Sequence, residues 1–318
     1  MKAEFIKCHG SGNDFVMVDA TSVTPLTDGE LSLFSRSACD RNGQLGADGV
    51  LFVFPSHRAD ARMRIFNADG SEAEMCGNGI RCTARLVAEK TGRDAVLIET
   101  AKAILECRRE DELSEGVASY SVLINNISPV SADFPYANGQ IFLNSPIPAL
   151  SETALFTFVS LGNPHIVSFR NDKINSPELL KTGLQANMDK GLFPNGVNVT
   201  FFNLTGDQAI YTETFERGVG LTCACGTAMS ACSIAACLGD LCEAEKWISI
   251  RNKGGMVKCI VSDISGDMNV RLWGNATFEY SGRLEFTGGK LKIYPEKNMH
   301  ANEIGAYGRF LQKMPAAW

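Results

Sequence analysis

The chain has 318 residues, 45% of them hydrophobic and 21% charged, and 30 Lys and Arg against 36 Asp and Glu give a net charge of −6. That length suggests about two domains and buries roughly 75% of the unfolded surface, so no disulfide or metal staple is needed. The acidic balance argues against nucleic acid or an anionic membrane as a partner held by bulk electrostatics, and the longest clean apolar run, residues 50–54, falls far below the ~20 residues of a membrane span.

The first ten residues lack the apolar centre of a secretory signal, so a cytoplasmic globular protein is expected. Val, Ile and Phe runs punctuated by Gly, Asn, Asp and Pro predict strands at 3–7, 15–19, 50–54, 63–66, 95–99 and 119–124, with helices at 28–38 and 79–89. In 79–89, Ile80, Ala84, Val87 and Ala88 form one helical stripe. Four prolines between 128 and 148 read as a linker or long loop. Beyond it, strands are predicted at 165–169, 197–202, 209–215, 247–251, 256–261 and 269–272, and helices at 176–189 and 226–238. A hairpin turning at Gly288-Gly289 and a helix at 300–311 end the chain. The mixture is an α/β (α+β) fold, divided as 1–127, 128–282 (whose last strands could return to the first half) and a 283–318 extension.

The chain echoes itself. A strand ending Phe66-Asn67-Ala68-Asp69-Gly70 leads through a short loop to Met75-Cys76-Gly77-Asn78-Gly79 and a helix. A strand ending Phe215-Glu216-Arg217-Gly218 leads likewise to Ala224-Cys225-Gly226-Thr227-Ala228 and a helix. Such repetition points to duplicated halves facing each other, each with one thiol at a helix N-terminus.

A helix N-terminus offers unbonded N–H groups and the positive end of the macrodipole. A cysteine there has its thiolate favoured, and the backbone can hold a carboxylate. Gly77, Gly79 and Gly226 would let a ligand approach the main chain. With facing halves, one carboxylate between both helix ends would place a sulfur on each side of its α-carbon. That arrangement suits proton removal from one face of a stereocentre and delivery to the other, with one thiolate base and one thiol acid.

Plainer readings compete. Eleven cysteines in a reducing compartment are mostly small buried hydrophobes, and periodicity alone favours two buried cysteines on duplicated helices. Cys223-Ala224-Cys225 could be half a zinc site, but no second cysteine pair or histidine cluster follows among the four histidines, and no Cys-x-x-Cys redox centre is present. No metal site is expected.

Six motifs in order carry a resemblance. They are Gly10-Ser11-Gly12-Asn13-Asp14-Phe15 with Gly46-Ala47-Asp48-Gly49, then Phe66–Glu72 (FNADGSE), Cys76–Cys82 (CGNGIRC), Gly162-Asn163-Pro164-His165, Asn195-Gly196-Val197-Asn198, and Glu216-Arg217-Gly218 with Ala224-Cys225-Gly226-Thr227. Up to about Gly282 the chain resembles the diaminopimelate epimerase family, cofactor-independent enzymes that interconvert LL- and meso-2,6-diaminopimelate on the route to lysine and peptidoglycan. The resemblance implies two pseudo-symmetric halves, each a mixed β-sheet wrapped around a central helix, with the active site between them. It implies Cys76 and Cys225 as the catalytic pair, drawn in the family as proton donor and acceptor respectively. His165 and Glu216 match positions held to tune the thiols. Asn13, Asn67, Gly77, Asn78, Asn163, Asn198, Glu216, Arg217, Gly226 and Thr227 match substrate-binding positions. In this scheme the Gly77-Asn78 and Gly226-Thr227 amides hold the reacting carboxylate, and Arg217 clamps the distal one. No pyridoxal phosphate or metal is implied. The partner is a small-molecule substrate, with no nucleic acid or membrane, and a homodimer is a further expectation.

Leu221, where many members carry Glu, and Gly49, where some carry Gln, are departures and stay outside the expected site. Ala228 replaces a usual glycine and improves helix propensity. Two alternatives are a related two-cysteine racemase of proline, hydroxyproline or histidine, and a catalytically dead binding protein. Arg217 with the asparagines argues against the first, and retention of both cysteines with Glu216-Arg217 against the second.

Overall fold

The structure is a computed structural model that describes residues 1–314 except 22, 24, 25, 126, 130–133, 135–139 and 265. The chain divides into two units, one of Met1–Val122 with Trp273–Pro315 and one built on Leu123–Leu272.

In the first unit β1 (Lys2–Gly10) and β2 (Asn13–Asp19) form a hairpin. Helix α1 (Asp28–Cys39) crosses over to β3 (Gly49–Phe54), which lies parallel to β2. Its start is a capping box: Thr27 Oγ1 accepts from Glu30 N–H, and Glu30 accepts from Thr27 N–H at 2.8 Å. β4 (Ala61–Asn67) returns antiparallel, and the short β5 (Glu72–Ala73) pairs with it. Helix α2 (Gly77–Thr91) then crosses to β6 (Ala95–Glu99), parallel to β4, and β7 (Ile104–Glu110) and β8 (Ser119–Ile124) follow antiparallel. The stripe Ile80, Ala84, Val87 and Ala88 is buried, and burial extends around all of α2 from Gly77 to Ala88. At Gly79 a Cβ would lie 2.7 Å from Leu51 Cδ2, so the helix sits close against β3.

The second unit repeats that order. Much of the 128–148 linker lies outside the described residues, but Phe134 and Phe142 belong to the unit's core beside Phe156, Phe158 and Phe193. β9 (Ser145–Pro146) pairs with β10 (Leu155–Ser160), which forms a hairpin with β11 (Pro164–Phe169). Helix α3 (Ser176–Met188) crosses to β12 (Asn198–Gly206), parallel to β11. β13 (Ala209–Glu216) and β14 (Gly220–Thr222) follow antiparallel, and α4 (Gly226–Leu238) crosses to β15 (Ile248–Asn252), parallel to β13. β16 (Gly255–Ser262) pairs antiparallel with β15, and β17 (Asn269–Asn275) leaves the unit. Hairpin, helical crossover, hairpin, helical crossover thus occurs once per unit, with α2 and α4 in equivalent places.

The remaining chain completes the first unit. β18 (Thr277–Thr287) pairs along β1 from Lys2↔Glu285 to His9↔Thr277. It turns at Gly288-Gly289 into β19 (Lys290–Met299), and α5 (Ala301–Lys313) follows. Residues set apart in sequence as an extension therefore supply core: Phe286 stacks edge-on against Phe34 at 5.3 Å, and Leu284 is buried beside Phe5 and Val16.

Close packing of α3 yields a stability test. A Cβ on Gly183 would lie 2.2 Å from Phe215 Cγ, whereas one on Gly308 of α5 would meet nothing within 4 Å. Gly183→Ala should destabilise by about 1–3 kcal/mol through overpacking. Gly308→Ala should stabilise by up to about 1 kcal/mol through helix propensity. Urea unfolding of both variants checks the opposite signs.

Candidate active site

Each duplicated cysteine is the N-cap of its helix in extended conformation, Cys76 at φ −145° and ψ 113° and Cys225 at φ −131° and ψ 108°. Gly77-Asn78 and Gly226-Thr227 are therefore first-turn residues, whose N–H groups have no partner within the helix.

Around Cys76, hydrogen-bond direction is set from the surface inward. Lys7 bonds Asp14 and the Gly46 carbonyl, and Arg41 grips Asp14 through two nitrogens at 2.7 and 2.8 Å. Burial alone would raise the Asp14 carboxyl, but the bonds from Arg41 and Lys7 outweigh it and hold its pKa at about 2. Arg41 also holds Asp48 at 2.7 Å, and Asp48 accepts from Asn13 Nδ2 at 2.8 Å. A carboxylate can only accept, so the Asn13 amide must turn its oxygen the other way. That oxygen takes the Cys76 S–H at 3.7 Å and Asn78 Nδ2 at 3.3 Å. The sulfur itself accepts Gly79 N–H at 3.5 Å. Behind it the fully buried Arg81 donates to Gly77 O at 2.9 Å and Asn78 Oδ1 at 3.0 Å. Asn67 ends β4; its side chain donates to Ser71 Oγ at 3.0 Å, its N–H to Ser71 O, and its carbonyl accepts Gly70 N–H.

Around Cys225 the partners are of another kind. His165 is fully buried, and burial, aided by the Arg217 charge, pushes its pKa down to about 3. The neutral ring places its proton on Nε2, which lies 3.1 Å from Asn163 Oδ1, and Nδ1 has no hydrogen-bond partner among the described residues. The Asn163 amide nitrogen therefore faces Thr227 Oγ1 at 3.5 Å. The Thr227 hydroxyl also lies 3.5 Å from Cys225 Sγ, a contact in which either group can donate. At Cys76 the accepting Asn13 oxygen favours the thiol, while the Gly79 N–H donated to the sulfur favours its charged form.

Asn198 stands beside His165 in the parallel register and accepts Arg217 N–H at 3.0 Å. Arg217 NH1 bonds the Asn195 carbonyl at 3.1 Å, and Glu216 Oε1 accepts from Thr222 Oγ1 at 2.6 Å. The register explains one sequence departure. Gly49 pairs with Phe15 as Asn198 pairs with His165, but a Cβ on Gly49 would lie 2.8 Å from Phe66 O. Leu221 on β14 is exposed. Sequence reading gave no role to Asp48, Arg41 or Arg81, although Asp48 and Arg81 lie inside two of the quoted motifs.

The other thiols differ in kind. Burial pushes Cys39 and Cys237 up to about 12 and Cys242 up to about 11, and raises Cys8 and Cys232 well above the usual range. Cys223 is exposed. Among the described residues no group of three or more His, Cys, Asp or Glu is placed to hold a metal ion, and no helix is long and apolar enough to cross a membrane.

The family model for diaminopimelate epimerase matches residues 5–121 and 157–278. The diaminopimelate epimerase of Clostridium acetobutylicum is 38% identical over 316 residues, spanning 98% of this chain and 95% of that protein. That of Ligilactobacillus salivarius is 42% identical over 287 residues, spanning 86% and 87%. The first of these matches takes in β19 and α5, which lie beyond the family model. Among solved structures, a PhzF-family phenazine biosynthesis protein of Bacillus anthracis has a TM-score of 0.65 at 16% identity, over 90% of this chain and 100% of that one. A hydroxyproline epimerase of Agrobacterium vitis has a TM-score of 0.59 at 15% identity, over 89% and 92%. At such identities these two show the shared fold.

The buried histidines predict a pH dependence of stability. Burial lowers His9 to about 4 and His165 to about 3, against an ordinary 6.5. Between those values and 6.5 the unfolded chain binds protons that the folded chain does not, so stability falls as pH drops through the window. By pH 5 each histidine should cost about 2 kcal/mol relative to neutral pH. Tm should be lower at pH 5 than at pH 7.5, and His165→Gln should shrink the difference. An undiminished difference in that variant would show that His165 is not held neutral.

Proposed function

Since the chain belongs to the diaminopimelate epimerase family, we propose that it interconverts LL- and meso-2,6-diaminopimelate by a two-thiol acid–base reaction of Cys76 and Cys225. The observation that supports the reading is the placement of both cysteines as extended N-caps of equivalent helices, with Cys76 Sγ against Asn13 Oδ1 and Cys225 Sγ against the Thr227 hydroxyl. In the LL to meso direction the Cα–H bond breaks, its electron pair stays on carbon, and the proton goes to the Cys225 thiolate. Cys76 S–H then delivers its proton to the opposite face of that carbon. The enzyme is left with Cys225 protonated and Cys76 ionised, and proton exchange with water resets it. Meanwhile charge grows on the substrate carboxylate, and first-turn amides of the kind offered by Gly77-Asn78 and Gly226-Thr227 stabilise it.

His165 acts in this reading as a neutral positioning residue, since it fixes the Asn163 amide and thereby the Thr227 hydroxyl. Glu216 shares the tuning role. Asn13, Asn67, Asn163 and Asn198 bind the polar groups of the substrate, and Arg217 pairs with its distal carboxylate. The reaction needs neither pyridoxal phosphate nor metal, and a homodimer in the cytoplasm is its setting, where eleven thiols stay reduced.

Incubation with LL-diaminopimelate in deuterated water should produce the meso isomer with deuterium at the inverted α-carbon. Cys76→Ala and Cys225→Ala should each lower turnover by about 10²–10⁴, the usual worth of a positioned acid or base, while Cys223→Ala leaves it unchanged. Proline lacks a distal carboxylate and should be a very poor substrate, because it would leave a guanidinium unmatched. Comparable efficiency on proline would replace the reading by that of a proline racemase.

A further inference from the structure

The C-terminal helix is anchored on α2 and reaches the loop behind Cys76. Glu303, in the first turn of α5, bonds Arg85 through both oxygens, at 2.5 Å to NH1 and 2.8 Å to NH2, and accepts Phe278 N–H at 3.1 Å. The Arg85 guanidinium lies over the Phe278 ring at 3.9 Å. One turn further along, buried Tyr307 sets its ring 4.5 Å from that of His9 at an interplanar angle of 62°.

His9 is also buried, and its Nδ1 accepts Gly12 N–H at 3.4 Å and faces Asn275 Nδ2 at 3.2 Å. Asn275 in turn accepts Ser11 N–H at 2.7 Å through its side chain and Arg81 Nε at 3.1 Å through its carbonyl. These bonds converge on a turn that needs holding. Ser11 has φ +53° and Gly12 φ +78°, and a non-glycine residue in the left-handed region is costly. The next residue is Asn13, whose oxygen meets Cys76 Sγ.

We propose that α5 is a positioning element of the Cys76 site, in which Tyr307, pressed edge-on against His9, fixes the Ser11–Gly12 turn and with it the reach of Asn13 to the Cys76 sulfur. Tyr307 is a positioning residue in this proposal, acting through its ring contact with His9 and through the turn. The inference rests on the two-thiol reading for the importance of Cys76, but its geometry belongs to the first unit alone.

The test is the alkylation rate of each cysteine by iodoacetamide at fixed pH in the full chain, read by peptide mass spectrometry. Loss of the Asn13 acceptor frees the Cys76 S–H, so Tyr307→Ala should alkylate Cys76 about tenfold faster, the effect of one pKa unit on thiolate fraction. Cys225 should keep its native rate, and Tyr307→Phe, which retains the ring contact, should restore the native rate at Cys76. Should the alanine variant not fold, Tyr307→Leu keeps the apolar bulk while removing the ring edge, and the same acceleration is expected. An unchanged Cys76 rate beside a lowered Tm would overturn the proposal, as would equal acceleration at both cysteines, which signals general loosening. Because alkylation needs no turnover, failure here is distinguishable from failure to epimerise diaminopimelate.

Discussion

Helix α2 is buried from Gly77 to Ala88 and α4 from Gly226 to Cys237, so the amides of each first turn are cut off from bulk water along most of their surroundings. Serine, threonine, aspartate or asparagine would be the usual residue to satisfy them. Cysteine stands there instead, and sulfur is a weak acceptor, with Cys76 only 3.5 Å from Gly79 N–H. Each helix start is thereby left with donor capacity that an anion can fill. Much of the surrounding architecture leads to that under-capped end: helical crossovers after β5 and β14 begin at the two cysteines.

The duplicated units solve one problem with different chemistry. In the first, fixed charges do the orienting: Lys7, Arg41, Asp14 and Asp48 form a chain in which each partner can act in one sense only. In the second, a desolvated neutral imidazole plays the same part through Asn163 and Thr227. Asp14 stays ionised above its pKa of about 2, and a histidine lowered to about 3 stays neutral above that value. Equivalent helix starts are in this way surrounded by different partners, Asn13 at Cys76 and Thr227 at Cys225.

Periodicity and punctuation make much of the fold legible. The five helices of the described residues overlap the segments expected from sequence, and Gly288-Gly289 marks the final hairpin. β7 escapes because Glu106, Arg108 and Arg109 dilute the inward alternation of Leu105 and Cys107 in a half-exposed strand. β10 escapes for another reason: its apolar run is set by sheet pairing rather than by any local turn signal distinct from the preceding loop. At the site, the cysteines announce themselves by their glycines and by repetition. Asp48 and Arg81 do not, since an Asp in a glycine turn and an Arg on a helix look like solvent-facing residues. Their roles arise from contacts with Asn13 and with Asn275, the latter 194 positions from Arg81. No local pattern encodes such distance.

Strand β1 has one neighbour close by in β2 and the other, β18, far along the chain. Even the N-terminal amine is tied there, donating to Phe286 O at 2.7 Å. During synthesis the residues Leu123–Leu272 emerge as one uninterrupted stretch and can close their own sheet first. Until β18 has been made, the earlier half has its β1 edge bare and the seat of Phe286 beside Phe34 unfilled. An open strand edge is a template for wrong pairing. The half of the molecule made first is thus the one completed last, and the interval is its period of greatest exposure to aggregation.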